Sequence, residues 1–165
     1  MYEQQIRRIL NELSNKKINT EQAMKKLKFL PFEDLGFAKI DHHRALRKGF
    51  PEVIFCQNKT KEQVVSIIKS MVSAGSEVIA TRASRDMYKE AKKKFNNAQY
   101  NGISNTITIK NRKSHQKKGK ILVISAGTSD MKVAEEAVVV AEAMGNNVER
   151  LYDVGVAGLH RLLSN

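Results

Sequence analysis

Two short stretches carry the residue types best suited to chemistry. The first is Ile121 to Ala137, ILVISAGTSDMKVAEEA, where apolar, partly β-branched residues run into Ala126-Gly127-Thr128-Ser129-Asp130. The second is Asp153 to Arg161, DVGVAGLHR. Free backbone N–H groups at a helix start can bind a phosphate, helped by the helix dipole. Gly127 would let the backbone approach such a group closely, and Thr128 and Ser129 add donors. Asp130 or His160 could move a proton, and Arg161 could hold an anion. A plainer explanation stands beside this one: Ser129 followed by Asp130 is also an ordinary N-cap with a first-turn acid.

What joins the stretches is the set of elements around them. The pattern predicts a strand over Lys120 to Ser125, a helix from Ser129 to Met144 stopped by Gly145, and a strand over Val148 to Val154. In a parallel strand–helix–strand unit both strands end on one edge of the sheet, where ligands of open α/β sheets bind. The two stretches are therefore expected to converge. The helix carries apolar residues around well over half its circumference, among them Val133, Val138 and Met144. It is predicted to pack against its own sheet and against a second partner, such as another subunit.

Upstream, Ile6, Ile9, Leu10 and Leu13 recur at helical spacing, which predicts a helix over 3–14. A second is predicted from Asn19 or Thr20 to a stop before Pro31, so that 1–30 reads as a helical hairpin with a solvated basic face (Arg7, Arg8, Lys25, Lys26, Lys28). Residues 31–109 read as a small α/β domain with strands at Pro51–Phe55 and Val78–Thr81. Between them Thr60 and Gln63 form a capping box for a helix carrying Val64, Val65, Ile67, Ile68 and Met71, which Gly75 ends. Ser84 caps the next helix, and Ile103 to Ile109, ISNTITI, alternates as a half-buried strand should. Residues 110–120, KNRKSHQKKGK, hold no apolar side chain and read as a solvated basic linker over 110–119. Residues 120–165 hold the second α/β unit.

Bulk properties narrow the setting. Of 165 residues 41% are hydrophobic and 28% charged, which argues against wholesale disorder. Lys and Arg number 29 against 17 acids, a formal charge of +12 that attracts anions of any kind. Cys56 is the single cysteine, which suits a reducing cytoplasm, and at a strand end it reads as a small buried hydrophobe. No signal peptide or membrane-spanning run is legible, so no membrane partner is expected. Asp41-His42-His43-Arg44 is not read as a metal site, because adjacent histidines on a helix point about 100° apart. No zinc-type Cys/His spacing occurs.

The runs DLGFAKIDHHRALRKGFPEVIF, VIATRAS, VISAGTSDMKVAEEA and NNVERLYDVGVAGLHRLL resemble one family, from about Asp34 onward. It is the pyridinium-3,5-biscarboxylic acid mononucleotide synthase family, which starts assembly of a nickel-pincer nucleotide cofactor. The second unit also resembles the related aminoimidazole ribonucleotide carboxylases of purine synthesis. The resemblance implies an α/β protein, with an incomplete flavodoxin-like domain following the smaller one. It implies a carboxylase that adds carbon dioxide to the pyridine ring of nicotinic acid adenine dinucleotide and hydrolyses the phosphoanhydride to release AMP. Carbon dioxide is then a co-substrate, no cofactor is covalently bound, and a divalent cation is left open. The full-length protein would form a homo-oligomer.

The purine enzymes carry Gly-Ser-x-Ser-Asp at the first turn and Ser-Ala-His-Arg later. Here Thr128-Ser129-Asp130 and His160-Arg161 match, while Ala126-Gly127 and the Ala-Gly-Leu before His160 depart. The family's nucleophilic cysteine lies in a C-terminal stretch not among these 165 residues, and Cys56 sits in the wrong block for it. The chain by itself is therefore expected to be an inactive N-terminal portion. Two other readings remain: an aminoimidazole ribonucleotide carboxylase, and a basic, non-enzymatic RNA-binding module. The 110–120 run, with no Phe, Tyr or Trp to stack on a base, makes nucleic acid the weaker partner.

Overall fold

The computed structural model describes residues 2–27, 32–42, 44, 48–110 and 119–164. The expected linker over 110–119, most of the Arg44–Lys48 stretch and Lys28 of the basic face therefore lie largely or wholly outside the described residues. The fold is α/β, and the chain divides into two compact units, Met1–Glu52 and Val53–Asn165.

The first unit opens with α1 (Tyr2–Ser14) and α2 (Thr20–Leu27). Ile9 and Ala23 are buried between them, packed by Ile6, Leu13, Ile18 and Leu27. Asn19 caps α2 reciprocally: its Oδ1 accepts from Gln22 N at 2.8 Å, and its own N–H donates to Gln22 Oε1 at 3.0 Å. A short antiparallel hairpin, β1 (Glu33–Asp34) and β2 (Lys39–Ile40), follows, its turn passing through Gly36 at φ +82. His42 pairs with Glu33, and Arg44 lies over the Phe50 ring at 5.1 Å.

The second unit holds two sheets. Strands β3 (Val53–Phe55), β4 (Val78–Thr81), β5 (Gln99–Asn101) and β6 (Thr106–Ile109) assemble in the order β3-β4-β6-β5. The β3–β4 pair is parallel and is bridged by α3 (Lys61–Ser73); the other pairs are antiparallel. The Thr60–Gln63 capping box forms as expected, and Val64, Val65, Ile67, Ile68 and Met71 are all buried. Ser84 likewise caps α4 (Arg85–Lys94), accepting from Met87 N at 3.2 Å.

The ISNTITI segment departs from expectation. Only Thr106–Ile109 is strand, and all four of its residues are buried; Ile103 sits in the turn, 52% exposed. The alternation failed as a guide because β6 lies between β4 and β5 with helices packed on both faces of the sheet, so threonines as well as isoleucines face protein.

The second sheet is the parallel pair β7 (Lys120–Ile124) and β8 (Asn147–Leu151), joined through α5 (Met131–Ala143). A four-residue helix α6 (His160–Leu163) follows. α5 packs on β7 and β8 and also on β4 and β6, so the second surface covering this apolar helix is the first sheet of the same chain. Among the described residues no helix is long and apolar enough to cross a membrane.

Candidate functional site

The parallel pairing of β7 with β8 brings the two chemistry-bearing stretches to one sheet edge. The ladder continues past the strands: Ser125 N donates to Leu151 O at 3.0 Å, Val154 N to Ser125 O at 3.2 Å, and Gly155 N to Ala126 O at 2.7 Å. The backbones of the Ala126–Asp130 turn and the Asp153–Gly155 segment are thereby clamped together.

Within the first segment, the chain does not enter the α-helix at Ser129. Thr128–Asp130 form a 3₁₀ turn and α5 begins at Met131. Asp130, not Ser129, closes the turn: its Oδ2 accepts from Gly127 N at 2.9 Å. A carboxylate reaching back three residues serves the free N–H better than a serine hydroxyl, because a charged acceptor makes the stronger bond. The amide expected to meet a phosphate thus already holds an anion of the chain's own. Thr128, Ser129 and Asp130 are exposed.

In the second segment, Asp153 adopts φ +58 and Gly155 φ +75. Arg161 folds back over this bend, its Nη1 donating to Asp153 O at 3.0 Å and lying 3.4 Å from Asp153 Oδ2. A Cβ on Gly155 would fall 2.3 Å from Arg161 Nη2, so the absent side chain makes room for the guanidinium. His160 opens α6 with its ring against Gly158, where a Cβ would fall 2.8 Å from Nδ1. The structure therefore gathers Gly127, Thr128, Ser129 and Asp130 in one turn and ties Arg161 to the neighbouring strand end; His160 stands exposed beside it.

Behind this edge lies a cluster that the sequence did not reveal. Glu135, 5% exposed on α5, accepts from Asn101 Nδ2 at 2.8 Å, Arg150 Nε at 3.1 Å and Tyr152 Oη at 2.7 Å. Arg150 also donates to Glu142 Oε1 at 2.9 Å. Burial pushes the Glu135 carboxyl upward, but the bonds from Arg150, Tyr152 and Asn101 outweigh it and hold it below the ordinary value. Burial, then the hydrogen bond to Glu135 and that carboxylate's charge, push the Tyr152 hydroxyl up to about 12. The network fixes Tyr152, next to Asp153, and crosses to the first sheet through Asn101. A glutamate in the context Ala-Glu-Glu-Ala resembles a solvent-facing one, and only the apolar girth of the helix hinted otherwise.

Cys56 cannot act as a nucleophile in this setting. It is fully buried, its N–H donates to Thr81 O at 2.9 Å, and burial pushes its thiol up to about 11. Among the described residues no group of three or more His, Cys, Asp or Glu side chains is arranged to hold a metal ion.

Residues 32–112 match the family model described as the LarB/PurE-like N-terminal domain. Over 165 residues the chain is 33% identical to an uncharacterized protein of Methanocaldococcus jannaschii, an alignment that takes in 95% of this chain and 64% of that relative. The chain thus spans less than two thirds of the length of the curated relative it matches.

Proposed function

We propose, from the premise that residues 32–112 match the LarB/PurE-like N-terminal domain, that the chain serves a carboxylase acting on a pyridine dinucleotide. What carries this reading is the attachment of that domain to a parallel β7–α5–β8 unit whose two loops meet at one sheet edge. The substrate is nicotinic acid adenine dinucleotide with carbon dioxide, and the products are pyridinium-3,5-biscarboxylic acid mononucleotide and AMP.

The chemistry sets clear demands. A pyridinium ring is electron-poor and does not attack carbon dioxide. A thiolate adding to a ring carbon makes an enamine, whose carbon forms the new bond to carbon dioxide. Loss of the ring proton to a base and departure of the thiolate then restore aromaticity. Water cleaves the phosphoanhydride, and AMP leaves. The thiolate comes from outside these 165 residues, since Cys56 is their single cysteine and is buried as a thiol.

The residues present bind and orient. A substrate phosphate takes the Gly127 N–H from Asp130, with the Thr128 and Ser129 hydroxyls beside it. The displaced Asp130 carboxylate is then free to accept the ring proton, His160 supplies a proton to the departing phosphate, and Arg161 holds an anionic group near the bend at Asp153. The reading expects a homo-oligomer, no covalently bound cofactor, and neither nucleic acid nor membrane as partner. It leaves room for a divalent cation at the diphosphate.

Gly127→Ala tests it. At φ −131 any residue is tolerated, and the added Cβ meets nothing nearer than 3.7 Å, so the variant folds normally. The methyl group nonetheless stands where a phosphate must approach. Calorimetric titration with nicotinic acid adenine dinucleotide should show binding to the wild type, weakened about tenfold in the variant at unchanged melting temperature. Absence of dinucleotide binding, with RNA affinity that falls steeply with salt, overturns the reading.

A further inference from the structure

Three cations gather where the first sheet meets the start of α5, two from the β4–α4 connection and one from α5 itself. Arg82 follows β4 in the left-handed conformation, φ +54, and its Nε donates to Glu136 on α5 at 2.6 Å. Arg85 is the first residue of α4, where a helix dipole disfavours positive charge. Lys132, the second residue of α5, lies 3.3 Å from the Asn105 amide oxygen when that amide is turned to donate to Tyr100 Oη and Gly102 O. Tyr100 Oη in turn donates to Ala83 O at 3.2 Å, two residues before Arg85.

All three cations are exposed, and among the described residues neither Arg85 nor Lys132 has a carboxylate partner. Two local rules are broken together: a non-glycine residue in left-handed backbone, and a cation in a helix's first turn. Such inconsistencies concentrate at functional sites. Glu136 engages only the Nε of Arg82 and so orients its fork, leaving the terminal nitrogens for a second acceptor. Lys132 stands two residues beyond Asp130, about 3 Å along the helix axis, and Glu136 with its Arg82 partner about 9 Å along it. The first of these steps is the scale on which one phosphate of a diphosphate follows another.

We propose that Arg82, Arg85 and Lys132 form a second anion subsite, contributed mainly by the LarB/PurE-like N-terminal domain, which takes the distal phosphate of a dinucleotide whose first phosphate lies on the Ala126–Asp130 turn. This rests on the dinucleotide reading above. It gives the N-terminal domain a direct part in substrate choice: a mononucleotide reaches the turn alone, and a dinucleotide reaches both.

The test uses the purified protein, the exposed-residue variants Arg85→Gln and Lys132→Gln, and three probes: inorganic pyrophosphate, nicotinic acid mononucleotide and nicotinic acid adenine dinucleotide. Each substitution should weaken pyrophosphate and dinucleotide about fivefold to tenfold and leave the mononucleotide within about twofold. A wild type that does not bind pyrophosphate, or variants that bind it equally well, overturns the subsite. Pyrophosphate binding that depends on Arg85 and Lys132, without dinucleotide binding, upholds the subsite and sinks the dinucleotide reading instead.

Discussion

At the scale of single residues, the distinction that matters is between charges the fold has already satisfied and those it leaves available. Glu135 belongs to the first kind, with three donors around a buried carboxylate. Removing it leaves the Tyr152 hydroxyl without its acceptor and Arg150 with Glu142 alone, so Glu135→Ala should cost about 1–3 kcal/mol of stability. The pH dependence has a worked sign. The folded carboxyl lies below its ordinary 4.5, so its contribution is complete above that pH and is lost as pH falls through the lower folded value. Tyr152 runs the other way: raised from 10.0 to about 12, it stabilises the fold below pH 10 and ceases to as pH climbs towards 12. Urea unfolding across pH should therefore show an acid limb that Glu135→Gln flattens and an alkaline limb that Tyr152→Phe reduces. Profiles parallel to the wild type's would show that the network carries neither limb. Cys56, Asp130 and Arg161 complete the contrast: the first is sealed in the core, while the other two are exposed and hold groups of the chain's own.

Among elements, the bend after β8 is where local geometry and the candidate site meet. Gly155→Ala imposes a left-handed non-glycine residue, about 1–2 kcal/mol, and drives a methyl group into the Arg161 guanidinium. Chemical denaturation should show the combined loss in the wild-type background and only the backbone part in an Arg161→Ala background. Equal losses in both would mean that Arg161 does not lie over the bend in solution. The same scale explains what the sequence could tell. The capping box at Thr60 was legible because cap, spacing and apolar face all lie within one helical turn of sequence. The convergence of AGTSD with DVGVAGLHR followed from strand–helix–strand order alone. β5 was not legible: Gln99–Asn101 is three residues without an apolar alternation, held by its pairing with β6. The Asp130–Gly127 closure escaped notice because Ser129 and Asp130 are both good capping residues, and only the backbone path chooses between them. The Glu135 network depends on a tertiary partner, Asn101, 34 positions away.

For the molecule as a whole, α5 decides how the second unit behaves. It is shared between the β3–β6 sheet and the β7–β8 pair, and its polar ties run to both: Glu136 to Arg82 and Glu135 to Asn101 on one side, Glu135 to Arg150 and Tyr152 on the other. Neither sheet can release its face of α5 without exposing apolar residues such as Val138 and Ala134, which are buried. The two sheets should therefore open as one cooperative body. Native-state hydrogen exchange tests this directly: the slowest amides of β6 and β8 should exchange through an opening of the same free energy. Glu135→Ala, which unties the helix from both sides, should separate them, with β8 opening first because a two-stranded sheet has less core of its own. If β6 and β8 already exchange at different free energies in the wild type, α5 is not a shared wall. The turn at its start could then move independently of the Arg82–Arg85 cations, and a diphosphate could not rely on both at once.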